Sequence, residues 1–242
     1  MPTWSGRAVR QAEPLAVEVA GRLLPLTLRR HARARRMILR LGPDGACVQV
    51  TLPPGAAAAE ALAFARSRAD WLARQSLATP GVCDPVARGW ILLHGTRTPV
   101  DWSAGRPRQP VLADGALRLG GPRAHAADRV RRWLMETALR IMTGDAAHFC
   151  RKRSLAAAPV RLSRARRRWG SCAADGTIRL NWRLVQAPPA VRRAVVAHEV
   201  AHLLHFDHSP AFRACLDSLF EGSVADANAW LQAHGRSLFT LG

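Results

Sequence analysis

Residues 189–210 read PAVRRAVVAHEVAHLLHFDHSP, and the reading of this stretch decides the fold. Its apolar residues recur at helical spacing, and Pro188-Pro189 opens it as proline opens a first turn. His198 and His202 are four residues apart, so on a helix they share one face, a turn above each other. Two imidazoles so placed can hold one zinc ion, with nitrogens about 2.0–2.1 Å from the metal. Glu199 directly follows the first histidine and can reach an attacking water instead of the metal, which makes it the candidate general base. A pattern this short also arises by chance, so its setting matters. Two histidines and an acid buried on so apolar a helix would be costly if they only packed.

A catalytic zinc takes three protein ligands and leaves a position for water. The candidates for the third are His205, Asp207, His208, Asp217 and Glu221. His205 lies on the same expected helix, about 10 Å along the axis from His198 at 1.5 Å per residue, too far to join both partners. His208 sits past the expected helix end, where Asp207-His208-Ser209-Pro210 has the chemistry of a turn that folds back. It is the first choice, Glu221 is the next, and Asp217 is a candidate to orient a ligand imidazole. The chain has no tyrosine, so a donor to a tetrahedral oxyanion must be Arg, His, Trp, Asn or a backbone N–H. His205, Arg168 and Asn181 are the side chains considered, in that order.

Immediately upstream, residues 159–185 (PVRLSRARRRWGSCAADGTIRLNWRLV) form two extended runs around an Asp175-Gly176 turn. Ile178, Leu180, Trp182 and Leu184 alternate with polar residues, so 177–184 is expected to be one strand with a buried face. Residues 128–153 read as a long helix, and Gly120-Gly121-Pro122 within 120–124 as a domain boundary. Residues 89–119 are extended, with a hairpin at Asp114-Gly115. Residues 56–75 fit a single amphipathic helix, and 26–41 a single extended stretch that turns at Pro43–Gly45 into a second strand. Residues 210–234 are expected to be helical. The fold class is α+β: a loosely ordered start (1–22), a small β-rich region with a helix (23–120), and a second domain (125–242) that carries the histidines.

At 242 residues and 48% hydrophobic, the chain can bury a core in one domain or two small ones. The net charge of +19 comes almost wholly from arginine, Lys152 being the only lysine. A field of that sign attracts polyanions such as nucleic acid, nucleotides or acidic peptides. Arginines cluster at 29, 30, 33, 35, 36 and 40, and again at 164, 166, 167 and 168. On extended segments, Arg33, Arg35, Arg36, Arg166 and Arg167 could read phosphates, although charged strand edges also simply prevent aggregation. The five cysteines are widely spaced with no C-x-x-C pair, as expected of reduced thiols in the cytoplasm. Neither a signal-peptide pattern nor a membrane-length apolar run is present in the sequence.

Several of these segments together resemble one known family. Trp169-Gly170-Ser171-Cys172, the IRLNWRLV run, the Pro-Pro turn, HEVAHLLHFDH and the following Ser-Pro-x-Phe look like the YgjP-like metallopeptidases, relatives of the SprT-like and WLM zinc proteases. The resemblance runs from about Pro25 to Phe239. It implies a zincin-like metallopeptidase domain behind a small α+β region, in which the strand 177–184, by analogy with zincins, could offer an edge to an extended substrate. It also implies one zinc ion per chain held by His198, His202 and His208, Glu199 as the catalytic acid/base, and a peptide or protein substrate. The spacing of the three histidines also matches metzincins, but His205 stands where those have glycine, and no methionine follows the motif. Two other readings differ in class. One is a zinc hydrolase of nucleotides or other phosphate compounds, suggested by the arginines. The other is a nucleic-acid-binding protein with a structural metal, against which Glu199 argues, since a structural site needs no base. A SprT-like protease associated with nucleic acid would combine the peptidase with the basic clusters. Substrate identity and oligomeric state are not encoded in any motif found.

Overall fold

The structure is a computed structural model that describes residues 15–42, 45–77 and 83–241. The chain divides into two compact units, Met1–Thr79 and Pro80–Gly242.

The first unit is a four-stranded sheet with two helices. Its strands are β1 (Ala16–Val19), β2 (Arg22–Arg30), β3 (Ile38–Leu41) and β4 (Val48–Leu52), in spatial order β1-β2-β4-β3. β4 alternates strictly, burying Val48, Val50 and Leu52 while Gln49 and Thr51 face the other way. These side chains pack with Val17, Val19, Leu24 and Leu26 against Ala61, Ala65 and Leu72 from α1 (Ala58–Ser67) and α2 (Ala69–Leu77). Three sequence expectations change here. Residues 16–19 are a strand paired with β2, whereas residues 1–14 lie outside the described residues. The stretch 26–41 is broken at 31–37, so β3 pairs antiparallel with β4 while β2 lies parallel to β4 on its other side. The single helix is two, parted at Arg68, where the Ser67 hydroxyl donates to the Phe64 carbonyl (2.9 Å) and competes with the helical ladder.

The second unit begins with a short helix, α3 (Pro85–Arg88), and a sheet of β5 (Trp90–Leu93), β6 (Thr96–Trp102), β7 (Val111–Ala113) and β8 (Ala116–Leu119), ordered β5-β6-β8-β7. The Asp114-Gly115 hairpin is present, both residues having positive φ (49° and 74°), as a tight type I′ connection requires. A long helix, α4 (Ala126–Lys152), follows and buries Val130, Leu134, Ala138, Met142 and Phe149 along one stripe. Ile91, Leu93, Leu117 and Leu119 share a core with that stripe, so 90–119 belongs with the C-terminal part of the chain. The expected boundary at 120–124 is a turn instead. Gly120 N–H donates to the Pro107 carbonyl (2.8 Å) and Trp102 Nε1 donates to the Gly121 carbonyl (3.1 Å).

Next come β9 (Val160–Ser163), β10 (Gly170–Cys172) and β11 (Ile178–Asn181), in order β10-β11-β9, then a 3-10 turn at Trp182–Gln186. The expected strand 177–184 therefore stops at Asn181. β11 is also the middle strand, so it offers no edge; β10 does. The chain ends with α5 (Pro189–Ala201), α6 (Pro210–Leu219), α7 (Val224–His234) and a 3-10 turn at Gly235–Thr240. Among the described residues no helix is long and apolar enough to cross a membrane.

α5 is fixed to α4 by a buried ion pair. Arg192 Nε lies 2.8 Å from one Asp145 oxygen and Arg193 Nη1 3.1 Å from the other, with Arg192 and Asp145 6% and 8% exposed. Removing one partner strands the other charge without water. Asp145→Ala is expected to destabilise the second unit by about 3–5 kcal/mol, whereas Arg193→Ala, which leaves the inner pair intact, costs far less. Urea unfolding of the two variants checks this, and equal losses would contradict it.

Candidate metal centre

α5 brings His198 and Glu199 to its last turn, and His202 is its C-terminal cap. The helix was expected to continue to His205. It stops earlier because the final turn tightens: Leu203 N–H bonds to the Val200 carbonyl (3.0 Å) and Leu204 N–H to the Ala201 carbonyl (3.1 Å). Beyond the stop, the His205 carbonyl turns to the His202 ring and lies 2.9 Å from Nδ1. A carbonyl only accepts, so Nδ1 carries the proton and Nε2 keeps its lone pair.

That lone pair faces two others. His202 Nε2 is 3.2 Å from His198 Nε2, and His208 Nε2 is 3.4 Å from the same atom. Each of the three residues offers a ligand atom within 4.8 Å of the others. Four ligands about 2.0–2.1 Å from a tetrahedral ion stand about 3.3 Å apart, so the residues present fit a metal ion. Burial, and then the neighbouring rings of His202 and His208, push the His198 pKa down to about 4, which keeps that ring neutral and able to donate its lone pair.

His208 reaches this place because the chain folds back after 205. α6 starts at Pro210, capped by the Ser209 hydroxyl, which accepts from Phe212 N–H (3.3 Å). Phe212, 2% exposed, then packs on all three imidazoles, with ring centres 5.0, 4.5 and 4.9 Å from those of His198, His202 and His208. Sequence reading assigned no role to Phe212. The Ser-Pro cap signal places it one turn into α6, but not against the rings.

Glu199 is buried, 5% exposed, beneath β10. A Cβ built at Gly170 would stand 2.6 Å from the Glu199 Cγ and closer still to Oε1, so only glycine fits there. Cys172 N–H donates to the Glu199 carboxylate. Burial nevertheless raises the Glu199 pKa to about 7, against the opposing pull of Arg168 and of that N–H. In the β10–β11 ladder, Trp169, Ser171 and Ala173 face β11. The polar groups of Gly170 and Cys172 therefore point to the open edge, beside Glu199. A cavity of about 200 Å³ opens next to His198 and Glu199, walled by Trp169, Val195, Val224 and Leu231.

The other sequence candidates fall in different places. Asn181 is fully buried: its Nδ2 donates to the Ala165 carbonyl (2.7 Å) and its Oδ1 accepts from Arg183 N–H (3.1 Å), so it anchors main chain and does not meet substrate. His205 serves the centre through its carbonyl, and its ring is outside the cluster. Arg168 is exposed on the loop between β9 and β10, and its charge is felt at Glu199. Glu221 is exposed and paired with Lys152 (2.9 Å), and Asp217 is exposed on α6; neither joins the cluster. Cys172 is half-buried, its thiol pKa pushed up by burial and by the charges of Glu199 and Asp175. Trp182 is core, 1% exposed, while Trp169 both packs on Phe239 (5.8 Å) and lines the cavity. The arginine clusters lie partly on loops instead of strands: Arg33, Arg35 and Arg36 between β2 and β3, and Arg164, Arg166, Arg167 and Arg168 between β9 and β10, all exposed.

No curated protein and no solved structure matches the chain. The family model of the YgjP-like metallopeptidase domain matches residues 35–234. That span holds every side chain of the cluster together with Gly170 and Phe212, and a metal ion is what this family implies for the converging nitrogens. The chain belongs to the YgjP-like metallopeptidase family.

Proposed function

We propose that the protein is a zinc-dependent metallopeptidase, with His198, His202 and His208 as the metal ligands and Glu199 as general base. The observation that carries this reading is the convergence of three imidazole nitrogens beside a buried carboxylate that borders an apolar cavity. A zinc ion there would acidify the attacking water and polarise the scissile carbonyl. Glu199 takes the proton on a carboxylate oxygen and passes it to the leaving amine. Its burial suits both halves of that task, because a carboxylate with a pKa near neutrality both accepts and releases a proton readily. A bound cation favours the ionised form and moves that pKa downward, so activity falls at low pH as Glu199 protonates. Cys172 N–H holds the carboxylate in place.

The substrate main chain pairs with the open edge of β10 through the polar groups of Gly170 and the Cys172 carbonyl, the Cys172 N–H being taken by Glu199. Of the three side chains considered for the oxyanion, Arg168 is the one whose charge reaches the centre. Hydrolysis of phosphate compounds is less favoured, because no arginine or lysine lines the cavity beside Glu199. The exposed arginines of the β9–β10 loop and the charge of +19 support an acidic partner, nucleic acid included, arriving beside the centre.

Three outcomes are expected. His208→Ala loses most of a near-stoichiometric zinc content by elemental analysis, whereas Glu221→Ala keeps it; the reverse result moves the third ligand to Glu221. Glu199→Gln keeps zinc but lowers kcat on an unstructured protein by about 10²–10⁴-fold, and retained turnover would remove Glu199 from the mechanism. Gly170→Ala forces the carboxylate aside and lowers kcat with the metal still bound; unaltered kinetics would show that the close approach is not needed.

A further inference from the structure

The cavity beside Glu199 has a lining that fits one kind of occupant. We propose that it selects the substrate by taking a single apolar side chain, of leucine, methionine or phenylalanine size, from a residue flanking the scissile bond. This rests on the peptidase reading above and adds to it the chemical class of the residue recognised.

Position comes first. His198 and Glu199 form one end of the cavity and Gly170 of β10 part of its rim. A peptide laid along the β10 edge projects alternate side chains to one side, and the side chain nearest the reacting carbonyl is the one that meets this opening. Size comes second. The cavity is about 200 Å³, below the roughly 300–1,000 Å³ of pockets for drug-sized ligands. An apolar cavity of about 150 Å³ takes a benzene ring. One side chain therefore fits and a nucleotide does not.

Lining comes third. Trp169, Val195, Val224 and Leu231 supply apolar walls, and the small side chain of Ala227 leaves the space open. Asn228 is the one polar side chain besides His198 and Glu199, and it is exposed. An arginine or lysine of the substrate would lose water here with Glu199 as its only counter-charge, and an acidic side chain would face Glu199 directly. α5 and α7 both contribute walls, so the helix that carries the base also carries Val195 of the specificity pocket.

The test uses the full-length zinc-loaded chain and a degenerate peptide library, with cleavage sites read by mass spectrometry. Wild type is expected to enrich leucine, methionine or phenylalanine at one flanking position. Ala227→Leu fills the cavity from its buried side; Val224→Phe fills it from a half-buried wall and keeps the test alive should the first variant not fold. Each is expected to shift the preference to alanine, serine or glycine. Each should also lower kcat/KM for a leucine peptide by about 10–200-fold relative to its alanine analogue. An unchanged preference in the folded variants overturns the pocket. So does Glu199-dependent cleavage with no flanking preference, which leaves the peptidase reading standing. Absence of any cleavage beyond that of Glu199→Gln overturns both.

Discussion

The hydrogen bond between the His202 ring and the His205 carbonyl is the contact on which the centre depends. It exists only because α5 ends one turn sooner than its apolar pattern suggests. In a continuing helix that carbonyl would be committed to an N–H four residues on. Released, it fixes which nitrogen of His202 carries the proton, and so leaves the other free to face His198 and His208. The same early stop frees residues 203–209 to double back and deliver His208. Phe212 then fills the space behind the rings, so the three imidazoles are held by packing as well as by hydrogen bonds. Helix termination, the tautomer of His202 and the placing of the third imidazole are thus a single structural event.

Much of the site was legible in the sequence, because its signals are local. The spacing of His198, Glu199 and His202 is a helix-face statement, and the turn residues after 206 place His208 beyond the helix. Asp114-Gly115 announced its hairpin by residue type, while the equivalent turn at His94-Gly95, also with positive φ at both residues (53° and 84°), carries a histidine that hides it. What stayed hidden depends on contacts between distant segments. Nothing local says that Gly170 lies over Glu199, or that Asn181 spends its amide on Ala165 and Arg183. The order β10-β11-β9 could not be read either, because alternation tells a strand which face is buried and not which neighbours it has. The division near residue 79 was missed for a related reason: Gly120 and Gly121 signal a bend equally well inside a domain and between two.

Charge inside the second unit is handled by pairing and by aromatic faces. Asp145 receives both Arg192 and Arg193, and Arg193 also lies over the Phe149 ring (4.8 Å). Arg183, 7% exposed, sits 4.6 Å from the rings of both Trp182 and Phe239 and reaches the Leu241 carbonyl. The buried Arg183 and Arg192 and the half-buried Arg193 thus brace the helices and turns around α5. The exposed arginines are a separate population, spread over strands, helices and loops, and Arg168 of the β9–β10 loop is the one whose charge is felt at Glu199.

The hairpin of β5 and β6 has a bearing on how α5 is anchored. Its turn is bonded to the segment that leads into α5: His94 N–H donates to the Val185 carbonyl and Gly95 N–H to the Gln186 carbonyl, both at 2.9 Å. A Cβ on Gly95 would press against Pro188, 2.9 Å from its Cγ. The turn therefore acts as a doorstop for Pro188, the residue that caps the helix carrying the histidines. Trimming the chain to start at α4, where composition invites a cut, would take the doorstop away and leave the active helix without a fixed origin. A fragment that keeps this brace has to include β5 and β6.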